Sequence, residues 1–172
     1  MKKGLIHLYT GDGKGKTTAA IGLSVRAIGA QFKVLFVQFM KGQDTAELKP
    51  LHTLGVEIYR RGEIKKFIPA MTDDEKNNYK QEQSACLEYA QNNAEQFNFI
   101  VLDEVISAIT TGMITQEALV KFITEKPLEL ELVLTGRDAP QSISNLADYI
   151  SCIKAIKHPY ENGIMARRGI EF

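Results

Sequence analysis

Tyr9-Thr10-Gly11-Asp12-Gly13-Lys14-Gly15-Lys16-Thr17-Thr18 is the stretch that leaves this chain the least freedom. An apolar run (Leu5, Ile6, Leu8) precedes it and a helical pattern (Ala19, Ala20, Leu23, Ala27) follows, so it reads as a strand, a turn and a helix start. Gly11, Gly13 and Gly15 free the backbone to turn its N–H groups inward on an anion, and a helix beginning near Lys16 adds the positive end of its dipole. In a phosphate loop of this kind the residues from Gly11 to Thr18, including Asp12, Lys14 and Thr18, surround the ligand. Lys16 reaches phosphate oxygens and the Thr17 hydroxyl holds Mg²⁺. The usual pattern places its first glycine where this chain has Thr10, and Gly11 comes one residue late. That departure keeps the phosphate cradle but speaks against an ordinary γ-phosphate pose.

A chain of 172 residues is long enough for one sizeable core, and residues 1–172 read as a single domain. Lys plus Arg and Asp plus Glu both number 21, a net charge of zero. Such a balance argues against broad nucleic-acid or anionic-membrane binding and leaves small charged ligands. Cys86 and Cys152 have neither C-x-x-C spacing nor a nearby histidine, so both are expected as buried thiols rather than zinc ligands or a disulfide framework. No segment approaches the roughly 18 apolar residues of a membrane span, and the first residues carry no signal-peptide pattern. A cytoplasmic location with no membrane contact is therefore expected.

Further along, Lys33 to Phe39 is a continuous apolar run of the kind seen in strands buried on both faces, which implies a parallel sheet with helices on each side. Gly29 is positioned to close the first helix. Met40 to Asp44 forms a loop at the ligand-facing end of that strand, where Met40 either fills the core or lines an apolar pocket. A short helix strained by Pro50 is expected over 45–54 and a strand over 56–59. Arg60 to Met71 is irregular, either a lid or a solvated connector. Thr72-Asp73-Asp74-Glu75 is a capping box that opens a long scaffold helix towards Phe97. Gly112 and Thr115 end one helix and start another. Pro140 begins a short helix to Ala147, and Tyr149 to Ile153 reads as a last internal strand. The expected architecture is α/β, a three-layer α/β/α phosphate-loop domain with a mostly parallel sheet.

Two strand ends carry further chemistry. Phe99-Ile100-Val101-Leu102 delivers Asp103 and Glu104 to the edge where Mg²⁺ would sit beside a phosphate loop, so both carboxylates join Thr17 as candidate metal ligands. Glu131 to Thr135 ends in Gly136-Arg137-Asp138, placing Arg137 at the same edge as a phosphate clamp or as the ion-pair partner of Asp138. The tail turns basic, and His158 within it is either solvated or a ligand contact.

Taken together, the phosphate loop, Val37-Gln38-Phe39-Met40-Lys41-Gly42, Val101-Leu102-Asp103-Glu104, Leu134-Thr135-Gly136-Arg137, and the tail from Lys157-His158-Pro159 to Gly169-Ile170-Glu171-Phe172 closely resemble the ATP:corrinoid adenosyltransferases of the cobalamin pathway, nearly end to end. The resemblance implies a RecA-like fold, commonly a homodimer, that transfers the 5′-deoxyadenosyl group of ATP to Co(I) of cob(I)alamin or a related corrinoid and releases triphosphate. An electron-donating reductase would supply the reduced cobalt. Lys16, Arg137 and Glu104 then become the catalytic candidates, since Co(I) is itself the nucleophile and the protein has to orient C5′ and stabilise the leaving group. By the same resemblance Arg26 touches the nucleotide, with a structural salt bridge as its other role. Phe67, in Phe67-Ile68-Pro69, stands where several relatives place a Phe-x-Trp on the corrinoid side; this chain has no tryptophan. The competing readings are a kinase or NTPase cleaving at the γ-phosphate, and a non-catalytic nucleotide-binding module.

Overall fold

The apolar runs become six strands of one sheet. The computed structural model describes residues 3–42, 45–62 and 66–171. The strands are β1 (Ile6–Thr10), β2 (Val34–Gln38), β3 (Glu57–Tyr59), β4 (Phe99–Asp103), β5 (Glu131–Thr135) and β6 (Tyr149–Cys152). Their order is β3-β2-β4-β5-β1-β6 and every pairing is parallel. In β2 and β4 all residues are buried, because alternate side chains feed two separate cores. Leu35, Val37, Ile100, Leu102, Leu132 and Leu134 face one, while Val34, Phe36, Phe99, Val101 and Val133 face the other.

The helices supply the outer layers. On the second core lie α1 (Lys16–Gly29) and α2 (Leu48–Thr53), through Ala20, Ala27 and Leu51. The opposite face is covered by α3 (Asp73–Asn93), α4 (Val105–Thr110), α5 (Gln116–Glu125) and α6 (Gln141–Ser144). The capping box of α3 forms as the sequence predicts: the Glu75 N–H donates to Thr72 Oγ1 at 3.2 Å and the Thr72 N–H donates to Glu75 Oε2 at 2.8 Å. Thr115 caps α5, and Gly112 takes φ 71° after α4.

Several local expectations are corrected. Gly29 is simply the last residue of α1; the left-handed conformation that turns the chain belongs to Gln31, at φ 64°. α2 starts at Leu48, so Pro50 lies in its first turn, where a missing N–H costs no intrahelical bond and strains nothing. The expected last internal strand is an edge strand: among the described residues β6 pairs with β1 alone, and all four of its own residues are exposed. Cys152 on that strand is accordingly exposed, and only Cys86 is buried. Of the loop expected over 40–44, Gln43 and Asp44 lie outside the described residues, as do Glu63, Ile64 and Lys65 of the 60–71 segment and Phe172 of the tail.

The pairing register brings chemistry to one edge. Gln38 pairs with Asp103 and Tyr9 with Thr135, so the C-terminal ends of β2, β4, β5 and β1 finish side by side. β5 separates the phosphate-loop strand β1 from the acidic strand β4.

Candidate functional site

Gly15, at φ 125°, precedes the first residue of α1, so the loop ends directly on a helix N-terminus. Two of the loop's glycines have a reason the sequence did not show. A Cβ on Gly11 would meet the Ile153 carbonyl oxygen at 2.4 Å, and one on Gly13 would meet the Lys154 carbonyl carbon at 2.7 Å. The chain leaving β6 thus packs directly on the loop. The Gly13 N–H donates to Ile153 O at 2.8 Å, and the Ala155 N–H to Asp12 Oδ1 at 3.2 Å. That bond holds the Asp12 carboxyl below its ordinary pKa.

Lys16 is 7% exposed. Its ammonium donates to the carbonyls of Gly11 at 2.7 Å and Gly13 at 2.9 Å. Burial lowers its pKa, with Glu104 opposing the shift. Phosphate oxygens offer the same ammonium full charges in place of carbonyl dipoles.

Across β5 the hydroxyls of Thr17 and Thr135 converge on one carboxylate oxygen. Thr17 Oγ1 donates to Asp103 Oδ1 at 2.9 Å and Thr135 Oγ1 donates to it at 2.8 Å. Thr135 is in turn the acceptor for the Glu104 N–H at 2.8 Å. Glu104 itself has φ 60°, so the chain turns abruptly between β4 and α4 and the side chain stays partly exposed beside the loop. Asp103 is fully buried, and burial, followed by the neighbouring Glu104 charge, pushes its carboxyl up to about 6. Its Oδ2 has no hydrogen-bond partner among the described residues. A buried carboxylate with one orphaned oxygen, beside a hydroxyl and a second carboxylate, fits a hard cation such as Mg²⁺. Among the described residues no group of three or more His, Cys, Asp and Glu could hold a metal ion. Such a site suits a cation that takes most of its ligands from phosphate and water.

These elements surround a cavity of about 550 Å³. Its walls include the expected Asp12, Gly13, Lys14, Gly15, Lys16, Thr17, Thr18, Glu104 and Arg137, and also His158. Arg137 forms no ion pair with Asp138 among the described residues. Gly136, at φ 143°, lets it leave the strand, since a Cβ there would sit 2.7 Å from that of Ile106. Gly11, Asp103, Arg26 and Phe67 do not line the cavity. Gly11 and Asp103 act from behind it through Lys16 and Thr17. Arg26 sits ten residues after Lys16 on α1, about 15 Å along the helix axis, and has no ion pair among the described residues either. Phe67 is 87% exposed. Met40 packs against the core rather than on the cavity.

Lys41, Gly169, Ile170 and Glu171, which the sequence offers only as parts of motifs with no role of their own, line the cavity, as does Glu47, which it does not single out. Glu171 bonds to Arg167 at 3.1 Å, which holds its carboxyl down to about 2, and to Lys14 at 3.3 Å. A signal for Lys41 existed, since it follows a buried strand at the ligand-facing edge.

The lining contains no serine or cysteine, and the Thr17 hydroxyl is already committed to Asp103. Lys14, Lys16, Lys41 and Arg137 in the same lining suit the site to hold and neutralise an anion. The family model of ATP:corrinoid adenosyltransferases BtuR/CobO/CobP matches residues 2–172. A corrinoid adenosyltransferase of Escherichia coli (strain K12) is 32% identical, covering 99% of this chain and 87% of that protein. One from Sinorhizobium sp is 33% identical over 99% of this chain and 81% of its own length. Among solved structures, the flagellar accessory protein FlaH from Methanocaldococcus jannaschii shares the fold at TM-score 0.55 and 15% identity, covering 88% of this chain and 72% of that one.

Proposed function

As the chain belongs to the ATP:corrinoid adenosyltransferase family and is an enzyme of that type, we propose that its cavity holds the triphosphate of ATP while C5′ stays open to the cobalt of a reduced corrinoid. The observation that carries this reading is the convergence of Thr17 and Thr135 on Asp103, beside a phosphate loop whose cavity gathers Lys14, Lys16 and Arg137. The family match makes the nucleophile Co(I) of cob(I)alamin or a cobinamide-type corrinoid in this reading. The kinase, NTPase and binding-module readings have no comparable support.

In this reading Lys14, Lys16 and Arg137 face the phosphates, and backbone N–H groups of the loop and the start of α1 add their dipoles. Thr17, Asp103 and Glu104 would hold Mg²⁺, which neutralises phosphate charge when bound. The protein's contribution is to orient and to stabilise the departing group, since the cobalt needs neither a base nor an activating residue. Exposed Phe67 supplies an apolar surface for the corrinoid. The reading further includes a homodimer, an electron-donating reductase as partner and a cytoplasmic setting. Among the described residues no helix is long and apolar enough to cross a membrane.

Incubation of the full chain with MgATP and chemically reduced cob(I)alamin tests it. The expected products are adenosylcobalamin and triphosphate in equal amounts. Corrinoid-dependent ADP with cobalamin unchanged would overturn the assignment.

A further inference from the structure

One cation on the cavity wall has no assigned task. Lys41 follows Phe39 and Met40 at the C-terminal end of β2, the strand hydrogen-bonded to β4, and it lines the same cavity as Glu104 and Arg137. Lys16 is held by loop carbonyls and Lys14 by Glu171. Among the described residues, Lys41 has no ion pair.

The turn that presents it is built rather than loose. Met40 takes φ 56°, a conformation that a non-glycine residue keeps only where its surroundings hold it. The hold comes from Gln83 of α3, a fully buried amide. Its Oε1 accepts the Met40 N–H at 3.0 Å, and its Nε2 donates to the Arg61 carbonyl at 3.1 Å. One buried side chain therefore ties the turn before Lys41 to the start of the segment that carries Phe67. A buried amide satisfied on both sides has little freedom to let either strand of chain drift.

We propose that Lys41 is a further catalytic cation, which takes up charge on the triphosphate as it departs, and that Gln83 is the residue that positions it. The inference rests on the adenosyltransferase reading. In that step the cobalt electron pair forms the Co–C bond to C5′, the C5′–O bond breaks, and its electron pair leaves on the triphosphate, with cobalt passing from Co(I) to Co(III). The leaving group gains one negative charge relative to bound ATP. A free ammonium at the edge is worth more to the product anion than to the substrate.

Three quantities are measured on the full chain: kcat with cob(I)alamin, and calorimetric Kd values for MgATP and for inorganic triphosphate. Lys41→Ala should lower kcat about tenfold or more and weaken triphosphate by a similar factor, while ATP weakens less than about threefold. Lys41→Arg should recover most of the loss. Gln83→Leu should lower kcat in the same direction, and add little once Lys41 is already alanine, because its effect runs through that residue. The proposal is overturned if Lys41→Ala keeps kcat within about twofold, if ATP and triphosphate weaken equally, or if the two substitutions are additive. Should wild-type protein make no adenosylcorrinoid, the reading of the reaction fails on its own. The ratio of triphosphate to ATP affinity then still decides whether Lys41 favours the more highly charged anion.

Discussion

Lys16 and Asp103 show how single residues in this site are legible from their neighbours in the chain yet not fully understood from them. The spacing of Gly15-Lys16-Thr17 announces a phosphate ligand, and the apolar run before Asp103 announces a buried strand end. What the sequence cannot show is that Thr135, from a third strand, joins Thr17 on one oxygen of Asp103. Nor does it show that Gly11 and Gly13 are needed for the close approach of Ile153 and Lys154 as much as for the phosphates. At this scale the clearest prediction concerns Lys16→Ala. A charge-assisted bond to phosphate contributes about 1.5–3 kcal/mol, so MgATP binding should weaken by roughly ten- to a hundredfold or more. The loop also loses the ammonium that ties the Gly11 and Gly13 carbonyls together, which adds to the loss. ATP affinity retained within about threefold by calorimetry would remove Lys16 from the site.

Among the elements, strands and helices with strong patterns were readable and their neighbours were not. β2, β4 and β5 were plain because a strand fed by two cores is apolar at nearly every position, and α3 was plain because its capping box is local chemistry. β6 misled, since Tyr149-Ile150-Ser151-Cys152 has the composition of an inner strand and nothing in it states that only one edge is paired. Lys41 and Gln83 stayed hidden for a related reason: a lysine after a strand and a glutamine in a helix are ordinary until the packing of α3 against the loop is known. The edge position of β6 has a chemical consequence. Cys152 is exposed, whereas Cys86 is buried in the core and burial pushes its thiol up to about 11. At neutral pH a small disulfide reagent should titrate one thiol per native chain rapidly and the second only on unfolding. Two rapid thiols, or none, would contradict this placement of β6 and α3.

For the molecule as a whole, the parallel sheet gathers the ends of four strands from distant parts of the sequence into one anion-binding edge, and the tail folds back on the same loop. The family match over residues 2–172 involves all of these parts at once. The proposed reaction has this edge present C5′ of ATP, and not the γ-phosphorus, to the nucleophile. Its most direct test uses ATP carrying heavy oxygen only in the bridge between C5′ and the α-phosphorus. Attack on carbon breaks the C5′–O bond, so after turnover with cob(I)alamin mass spectrometry should find all of the label in triphosphate and none in the adenosylated corrinoid. Label retained on the nucleoside product, with phosphate released from the γ position, would contradict the account.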